Sequence, residues 1–186
     1  MIHNVDDIRI EGYQEVLDEL DKLHEKGLIK NIGVSVYNDQ QLALARDNMN
    51  ITVAQVPFNL YDQRFMNSKI LSKVISSGAE IHVRSAFLQG LLLMEPEDLP
   101  SYFYNIYRHH SELYKYAMDM DISVYELCLS WVVKQPWINR IVCGITSVAQ
   151  SKEMINTINK NLKGTLPDID KFSVTDLKVI NPAAWS

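Results

Sequence analysis

Apolar residues follow two patterns that alternate along the chain. Spacing of three or four residues, which indicates an amphipathic helix, is found at 13–23, 42–45, 70–75, 102–118, 124–132 and from 147 to about 161. Short runs rich in β-branched residues, which indicate strands, lie at 29–36, 51–56, 80–84 and from 141. Residues 1–3 resemble a strand end, while 4–9 and 164–170 resemble a loop and a turn. This alternation predicts an α/β fold with a parallel sheet.

Capping residues mark the starts of two predicted helices. Ser123 is followed three residues later by Glu126, and Ser147 by Gln150, so each pair forms a capping box. The second box directly follows the last predicted strand, which we interpret as buried and which turns at Gly144. Because a helix N-terminus presents backbone N–H groups without internal partners, this segment predicts an anion site.

Polar or small residues mark the ends of the predicted strands. These residues are His3, Ser35, Gln55, Arg84 with Ser85, and Gly144. Each alone is typical of an ordinary strand terminus, but parallel strands bring their carboxyl ends to one edge of the sheet, where function is expected. The longest predicted loop, from Ser85 to Pro100, lies at this edge, and long ordered loops are usually functional.

Composition narrows the classes of function. The 186 residues suit a single domain, 1–186, and the 47% of hydrophobic residues suffices for a core. A net charge of −5 disfavours nucleic-acid binding, and no apolar run is long enough for a membrane span. The start of the chain lacks the features of a signal peptide. Two cysteines, Cys128 and Cys143, are typical of free thiols in a reducing cytoplasm.

The histidines do not form a recognisable metal motif. His109 and His110 are adjacent and would not share a helix face, and His82 within a strand is typical of a satisfied core histidine. No pair combines metal-ligand spacing with a second shell of supporting residues, so we predict no metal site. Phosphate-binding and nucleophile-elbow glycine motifs are also absent from the sequence.

Four ordered segments resemble the aldo/keto reductase family. They are 23–35 (LHEKGLIKNIGVS), 53–59 (VAQVPFN), 84–92 (RSAFLQGLL) and 144–153 (GITSVAQSKE), and the closing 180–185 (INPAAW) also fits. The resemblance covers essentially the whole chain. It corresponds to the C-terminal half of the family's (β/α)₈ TIM barrel, from the end of strand four onward, and the N-terminal half is absent.

The resemblance implies an NADPH- or NADH-dependent reductase that transfers hydride to an aldehyde or ketone. His3 would be the active-site histidine that hydrogen-bonds the substrate carbonyl. Ser35 and Gln55 would hold the nicotinamide carboxamide, and Arg84 would stack on the nicotinamide ring in place of a tyrosine. The remaining cofactor residues would be Ser85, Phe87 and Gly90 at the pyrophosphate, and Gly144, Ser147, Gln150 and Glu153 at the adenosine end.

Departures from the family pattern limit these expectations. The family's catalytic tyrosine, aspartate and lysine belong to the first half of the barrel, so we expect this chain alone to be inactive. Val36 stands where the family has a carboxamide-binding asparagine, and Gly144, Ile145 and Gln150 stand where basic residues often bind the 2′-phosphate. The choice between NADP and NAD therefore stays open.

Two alternatives remain at this stage. The chain could be a non-catalytic half-barrel module for binding or assembly, or an unrelated open α/β domain of the flavodoxin type. A half barrel would expose two sheet edges and an apolar inner face. We therefore expect self-association or contact with the N-terminal half.

Overall fold

The computed structural model describes residues 1–160 and 166–185. Four strands are present in the described residues: β1 Gly33–Ser35, β2 Val53–Pro57, β3 Glu80–Arg84 and β4 Arg140–Val142. The α-helices are α1 Tyr13–Glu25, α2 Asp39–Asn48, α3 Lys69–Ser76, α4 Tyr107–Asp119, α5 Val124–Val133, α6 Val148–Lys160 and α7 Leu177–Ile180. Short 3₁₀ helices cover Val5–Arg9, Leu88–Leu93, Pro96–Asp98, Ser101–Ile106, Ile169–Phe172 and Pro182–Ala184.

The strands form one sheet in the order β1-β2-β3-β4, which confirms the predicted α/β fold. β1 pairs with β2, and β2 with β3, in parallel. Ile2 adds an isolated parallel bridge to Val34, because its N–H donates to Gly33 O at 2.7 Å and its carbonyl accepts from Ser35 N at 2.9 Å. The start of the chain therefore extends the sheet beyond β1, as expected of a strand end.

The chain divides into two compact units. The first unit comprises 1–57, 64–84 and 137–140, and the second 58–63, 85–136 and 141–186. In the first unit, the core lies on the strands, where Val34, Ala54 and Ile81 are fully buried. The second unit has a helical core that includes Leu113 and Leu127. A single domain therefore remains a prediction.

Helix termini follow the capping residues of the sequence. Ser123 Oγ accepts from Glu126 N at 3.1 Å and the Glu126 carboxylate accepts from Ser123 N at 3.1 Å, so this capping box is complete. Gly27 and Gly78 follow α1 and α3 with φ of 69° and 90°, a left-handed conformation that glycine adopts without steric cost. The predicted apolar stripe of α5 is buried throughout: Val124, Leu127, Cys128, Trp131 and Val132.

Several predicted boundaries were wrong. The strand predicted at 29–36 is only Gly33–Ser35. The first residues of the predicted strand form other hydrogen bonds. Ile29 N donates to Leu23 O at the end of α1, and Ile32 N donates to Thr52 Oγ1 at 2.9 Å. The predicted loops 4–9 and 85–100 contain 3₁₀ turns, and the helix predicted from 102 begins as a 3₁₀ turn. Positions 161, 164 and 165 lie outside the described residues.

β4 is not the buried strand that its sequence suggested. Arg140 and Val142 are exposed and only Ile141 is half-buried. The reason is its position, since β4 is the last strand in the order of the sheet, whereas β2 pairs with a strand on each side. Apolar composition alone cannot distinguish an edge strand from a central one.

Candidate functional site

Ser35 and Gln55 form a polar pair on adjacent strands, with Ser35 the last residue of β1 and Gln55 in the middle of β2. The register of β1 and β2 places them directly opposite each other, and Ser35 Oγ donates to Gln55 Oε1 at 3.4 Å. Ser35 is 2% exposed and Gln55 is half-buried. Both side chains can donate and accept hydrogen bonds, which is the requirement for binding an amide. The structure thus brings two of the predicted site residues together.

Arg84 is packed against an aromatic ring of the same unit. Its guanidinium carbon lies 4.3 Å from the centroid of the Tyr37 ring, and its Nη2 donates to Val36 O at 3.5 Å. Tyr37 was missed by sequence reasoning, although it follows Ser35 by two residues. A guanidinium stacked on a ring keeps a fixed orientation, since planar stacking and hydrogen bonding both restrain it.

His82 and Glu80 form a second polar pair on the same strand as Arg84. Alternation along β3 places Glu80, His82 and Arg84 on one face of the sheet, and His82 is the register partner of Gln55. His82 Nε2 lies 3.1 Å from Glu80 Oε2. The hydrogen bond from His82, followed by one from Arg140, lowers the pKa of the Glu80 carboxyl. His82 is therefore a hydrogen-bonded histidine beside the site.

His3 directly follows the residue that bridges to β1. Its side chain is exposed, whereas Val34, the partner of Ile2, is fully buried. The structure thus places an accessible imidazole next to the end of the sheet that carries Ser35. Its catalytic role remains a prediction.

In the second unit, the chain after β3 adopts a strained backbone. Ser85, Leu88 and Gln89 have φ of 61°, 48° and 55°, and Gly90 has φ of 91°. A left-handed conformation costs a residue other than glycine roughly 1–3 kcal/mol and persists only where the surroundings impose it. Such residues cluster at ligand-binding loops.

Buried leucines and a stacked ring anchor this loop. Leu88, Leu91 and Leu92 are each at most 1% exposed. The ring of Phe87 stacks on Tyr125 with centroids 4.8 Å apart and planes inclined by 18°. Apolar anchoring of this kind restricts the backbone between Ser85 and Gly90 to one path.

Gly144, Ser147, Gln150 and Glu153 lie on an exposed segment of the second unit. Ser147 Oγ accepts from Gln150 N at 3.2 Å, as a capping residue does. The reciprocal bond differs from the predicted capping box, because Gln150 Oε1 accepts from Thr146 N and Oγ1 at 2.9 and 3.0 Å instead of Ser147 N. The helix start is thus capped, with the glutamine reaching one residue further back.

Tyr125 lies near both predicted cofactor segments of the second unit. Its ring stacks on Phe87, and burial raises its pKa, with a further contribution from the nearby Glu153 carboxylate. Sequence reasoning missed this tyrosine, because a tyrosine next to a helix start has no distinctive signal. The loop after β3 and the start of α6 thus approach one side chain.

A cavity of about 650 Å³ lies in the second unit. It is lined by Leu93, Glu95, Tyr114, Ala117, Met118, Asp121, Ile122, Ser123, Val124, Tyr125 and Glu126. None of the predicted site residues lines it.

Among residues 1–160 and 166–185, no group of three or more His, Cys, Asp or Glu side chains could hold a metal ion, and no helix is long and apolar enough to cross a membrane.

Comparison with known proteins identifies the family. The sequence pattern of the aldo/keto reductase family matches residues 1–168. The chain belongs to this family. Members of this family generally use NAD(P)H. No curated protein sequence gives a significant match.

Solved aldo-keto reductases share the fold. The holo form of an aldo-keto reductase from Bacillus halodurans is 19% identical with a TM-score of 0.72, and the match covers 98% of this chain and 60% of that one. A thermostable aldo-keto reductase, solved with the inhibitor epalrestat, is 20% identical (TM-score 0.63; 86% and 54% covered). A glycerol dehydrogenase from Gluconobacter oxydans is 22% identical (TM-score 0.52; 82% and 56% covered). The chain thus spans a little over half the length of these structures.

Proposed function

We propose that this chain carries the cofactor-binding part of an NAD(P)H-dependent aldo/keto reductase barrel, corresponding to the C-terminal half of that barrel. The observation that supports this most is the pairing of Ser35, the last residue of β1, with Gln55 on the neighbouring β2, in a chain of this family. The reaction of the complete barrel would be reduction of an aldehyde or ketone. The bound dinucleotide would supply the hydride.

The strand-end residues would orient the nicotinamide. The Ser35 hydroxyl and the Gln55 amide would bind its carboxamide, since together they offer both donors and acceptors. Arg84, held by Tyr37 and the Val36 carbonyl, would present its guanidinium plane to the ring. These residues would restrict the ring to one orientation, and such positioning is a large part of the rate enhancement in enzymes.

The other predicted cofactor residues would hold the remainder of the dinucleotide. Ser85, Phe87 and Gly90 would follow the pyrophosphate, and the start of α6 would bind the adenosine end through Gly144, Ser147, Gln150 and Glu153. Backbone N–H groups at a helix start suit an anionic group. We leave NADP and NAD as alternatives, because no basic residue stands at the family's usual 2′-phosphate positions in this segment.

His3 would hydrogen-bond the carbonyl oxygen of the substrate. It lies next to the bridge between Ile2 and Val34 and is accessible. The tyrosine that protonates this oxygen in the family, with its lysine and aspartate, has no counterpart among the segments that match here. We therefore expect no turnover by this chain alone.

The complete site would also need a partner surface. Val148, Ile155 and Ile158 of α6 are 73%, 54% and 44% exposed, which is unusual for apolar residues of a packed helix. We propose that this face contacts the other half of a barrel, or a second copy of the chain. The same exposure favours the runner-up function, a non-catalytic assembly module.

Two free cysteines support a reducing compartment such as the cytoplasm.

Fluorescence titration with NADPH tests the proposal. We expect saturable binding that Gln55→Leu weakens by about tenfold, since a lost hydrogen bond to a bound amide costs about 1.4 kcal/mol. The control is Gln14→Leu on α1, because the Gln14 side chain is exposed and donates to Asp18 Oδ1 at 2.8 Å. Equal affinity of Gln55→Leu and the unmodified chain would refute the carboxamide assignment.

Steady-state assays test the expected lack of turnover. With NADPH and a panel of aldehydes, the rate of NADPH oxidation should equal that of the control without protein. Oxidation above this background would show that the chain contains a complete catalytic site. A binding-competent but inactive chain would support the division of the barrel that we propose.

A further inference from the structure

The turn after β2 contacts the start of the loop that follows β3. Asn59 in this turn is fully buried, and its Nδ2 donates to Ser85 O at 3.0 Å. Its Oδ1 accepts from Tyr61 N at 3.0 Å and from Asp62 N at 2.9 Å. Both the nitrogen and the oxygen of the Asn59 amide therefore form hydrogen bonds, and the backbone of its own turn fixes the orientation of the amide.

The same turn is connected to the far end of the loop through a buried pair. Tyr61 Oη lies 2.7 Å from His110 Nδ1, and His110 Nε2 lies 2.7 Å from Met94 O. A carbonyl only accepts, so Nε2 carries the proton and Nδ1 accepts from the Tyr61 hydroxyl. Tyr61 and His110 are both fully buried.

We propose that Asn59, Tyr61 and His110 are positioning residues that fix both ends of the loop 85–94 before a cofactor binds. The inference rests on the proposed function, in which this loop follows the pyrophosphate. Asn59 fixes the carbonyl of Ser85, and His110 fixes the carbonyl of Met94. The loop between them keeps its four left-handed residues because its ends cannot separate.

Backbone hydrogen bonds within the loop make the inference measurable. Leu88 N donates to Ser85 O at 2.9 Å, and Gly90 N donates to Phe87 O at 2.9 Å. At the far end, Met94 N donates to Leu91 O at 3.3 Å. Because exchange of an amide hydrogen requires its bond to open, exchange rates at these amides report on each end separately.

Hydrogen exchange on the protein without cofactor is the test. Asn59→Asp keeps the two acceptor bonds but removes the donor to Ser85 O, so the amides of Leu88 and Gly90 should exchange about tenfold faster. Tyr61→Phe removes one hydroxyl with little change of shape, and should accelerate exchange of Met94 instead. Should Asn59→Asp fold poorly, the milder Tyr61→Phe still tests the far end.

Two further variants separate positioning from general packing. Tyr114→Phe is the matched control, since its ring lies 5.1 Å from that of His110 while both imidazole nitrogens bond elsewhere. It should leave the loop amides unchanged. His110→Gln retains an N–H donor near Nε2, and should therefore protect Met94 better than His110→Leu.

The outcomes either support or overturn the inference. The inference is supported if exchange is faster at the predicted end of the loop while the exchange rate of the Val36 amide, which pairs β1 with β2, is unchanged. Unchanged loop amides in Asn59→Asp and Tyr61→Phe, or equal acceleration at Val36, overturn it. A failure of NADPH to bind the unmodified chain would refute the proposed function without altering the exchange pattern, so the two failures are distinguishable.

Discussion

Two segments that follow strands differ in how the protein holds them. The loop 85–94 after β3 contains three leucines that are at most 1% exposed, and its ends bond to Asn59 and His110, which are 26 and 16 residues distant in sequence. By contrast, residues 144–150 after β4 are all exposed. Their side-chain hydrogen bonds reach only three or four residues. Tertiary structure fixes the first segment, whereas local capping fixes the second.

This difference has a consequence for the proposed cofactor site. A preformed segment loses little conformational entropy when a ligand binds, whereas an exposed segment must become ordered. We therefore expect the nicotinamide and pyrophosphate contacts to be largely preformed, and the adenosine contacts to become ordered on binding.

The largest expected effect comes from truncating the anchor of the loop. Leu91→Ala removes a fully buried side chain and should lower the free energy of unfolding by about 2–5 kcal/mol. The matched variant Val148→Ala, at a position 73% exposed, should change it by less than about 0.5 kcal/mol. Urea denaturation followed by circular dichroism measures both. Equal effects would contradict the comparison.

A smaller effect concerns pH. Burial lowers the pKa of His110 from its usual 6.5, His109 beside it acts in the same direction, and the bond to Met94 O opposes both. Below pH 6.5, His110 therefore binds a proton in the unfolded chain but stays neutral in the folded chain. The contribution of His110 to the free energy of unfolding should therefore be constant above pH 6.5. Below pH 6.5 it should fall by at most about 1.4 kcal/mol per pH unit, until the pH reaches the lowered pKa of His110 in the folded chain.

The measurement for this prediction is the midpoint of thermal unfolding between pH 7.5 and 5. Tyr61 and Tyr114, which face the His110 ring, stay protonated throughout this range, since burial raises the pKa of each, that of Tyr114 to about 12. His110→Gln should flatten the profile. An identical profile in the variant would assign the pH dependence to other groups.

The smallest expected effect distinguishes the two helix caps. Ser123→Ala breaks a complete capping box and should cost about 1 kcal/mol of stability. Ser147→Ala removes one bond at an exposed helix start, and should mainly increase fraying of the first turn of α6. Amide exchange at Gln150 and Ser151 would show this. A larger global loss for Ser147→Ala than for Ser123→Ala would reverse the comparison.

The sequence predicted the alternating elements well, because helical periodicity and glycine or serine termini are local signals. The predicted helices at 13–23 and 70–75 correspond to α1 and α3, and β3 matches its predicted bounds. Polar residues within or at the end of apolar runs are also a local signal, which is why Ser35 and Gln55 could be named as candidates before their register was known.

Long-range contacts could not be predicted in the same way. The exposure of β4 depends on its place in the sheet order, and the pairing of Arg84 with Tyr37 depends on how two strand ends meet. Asn59 shows no local pattern that points to Ser85, since the two are joined only by folding. Sequence reasoning therefore named candidate residues at the strand ends and missed the residues that contact them in the folded chain.

NMR chemical-shift mapping with NADPH tests the central claim most directly. The claim predicts that titration perturbs the backbone amide of Ser35, the side-chain amide of Gln55 and the backbone amides of the loop 85–90. Gln14 on α1 should stay unperturbed. Perturbations confined to other surfaces, or none at saturating NADPH, would contradict the assignment of this chain as the cofactor-binding part of an aldo/keto reductase barrel.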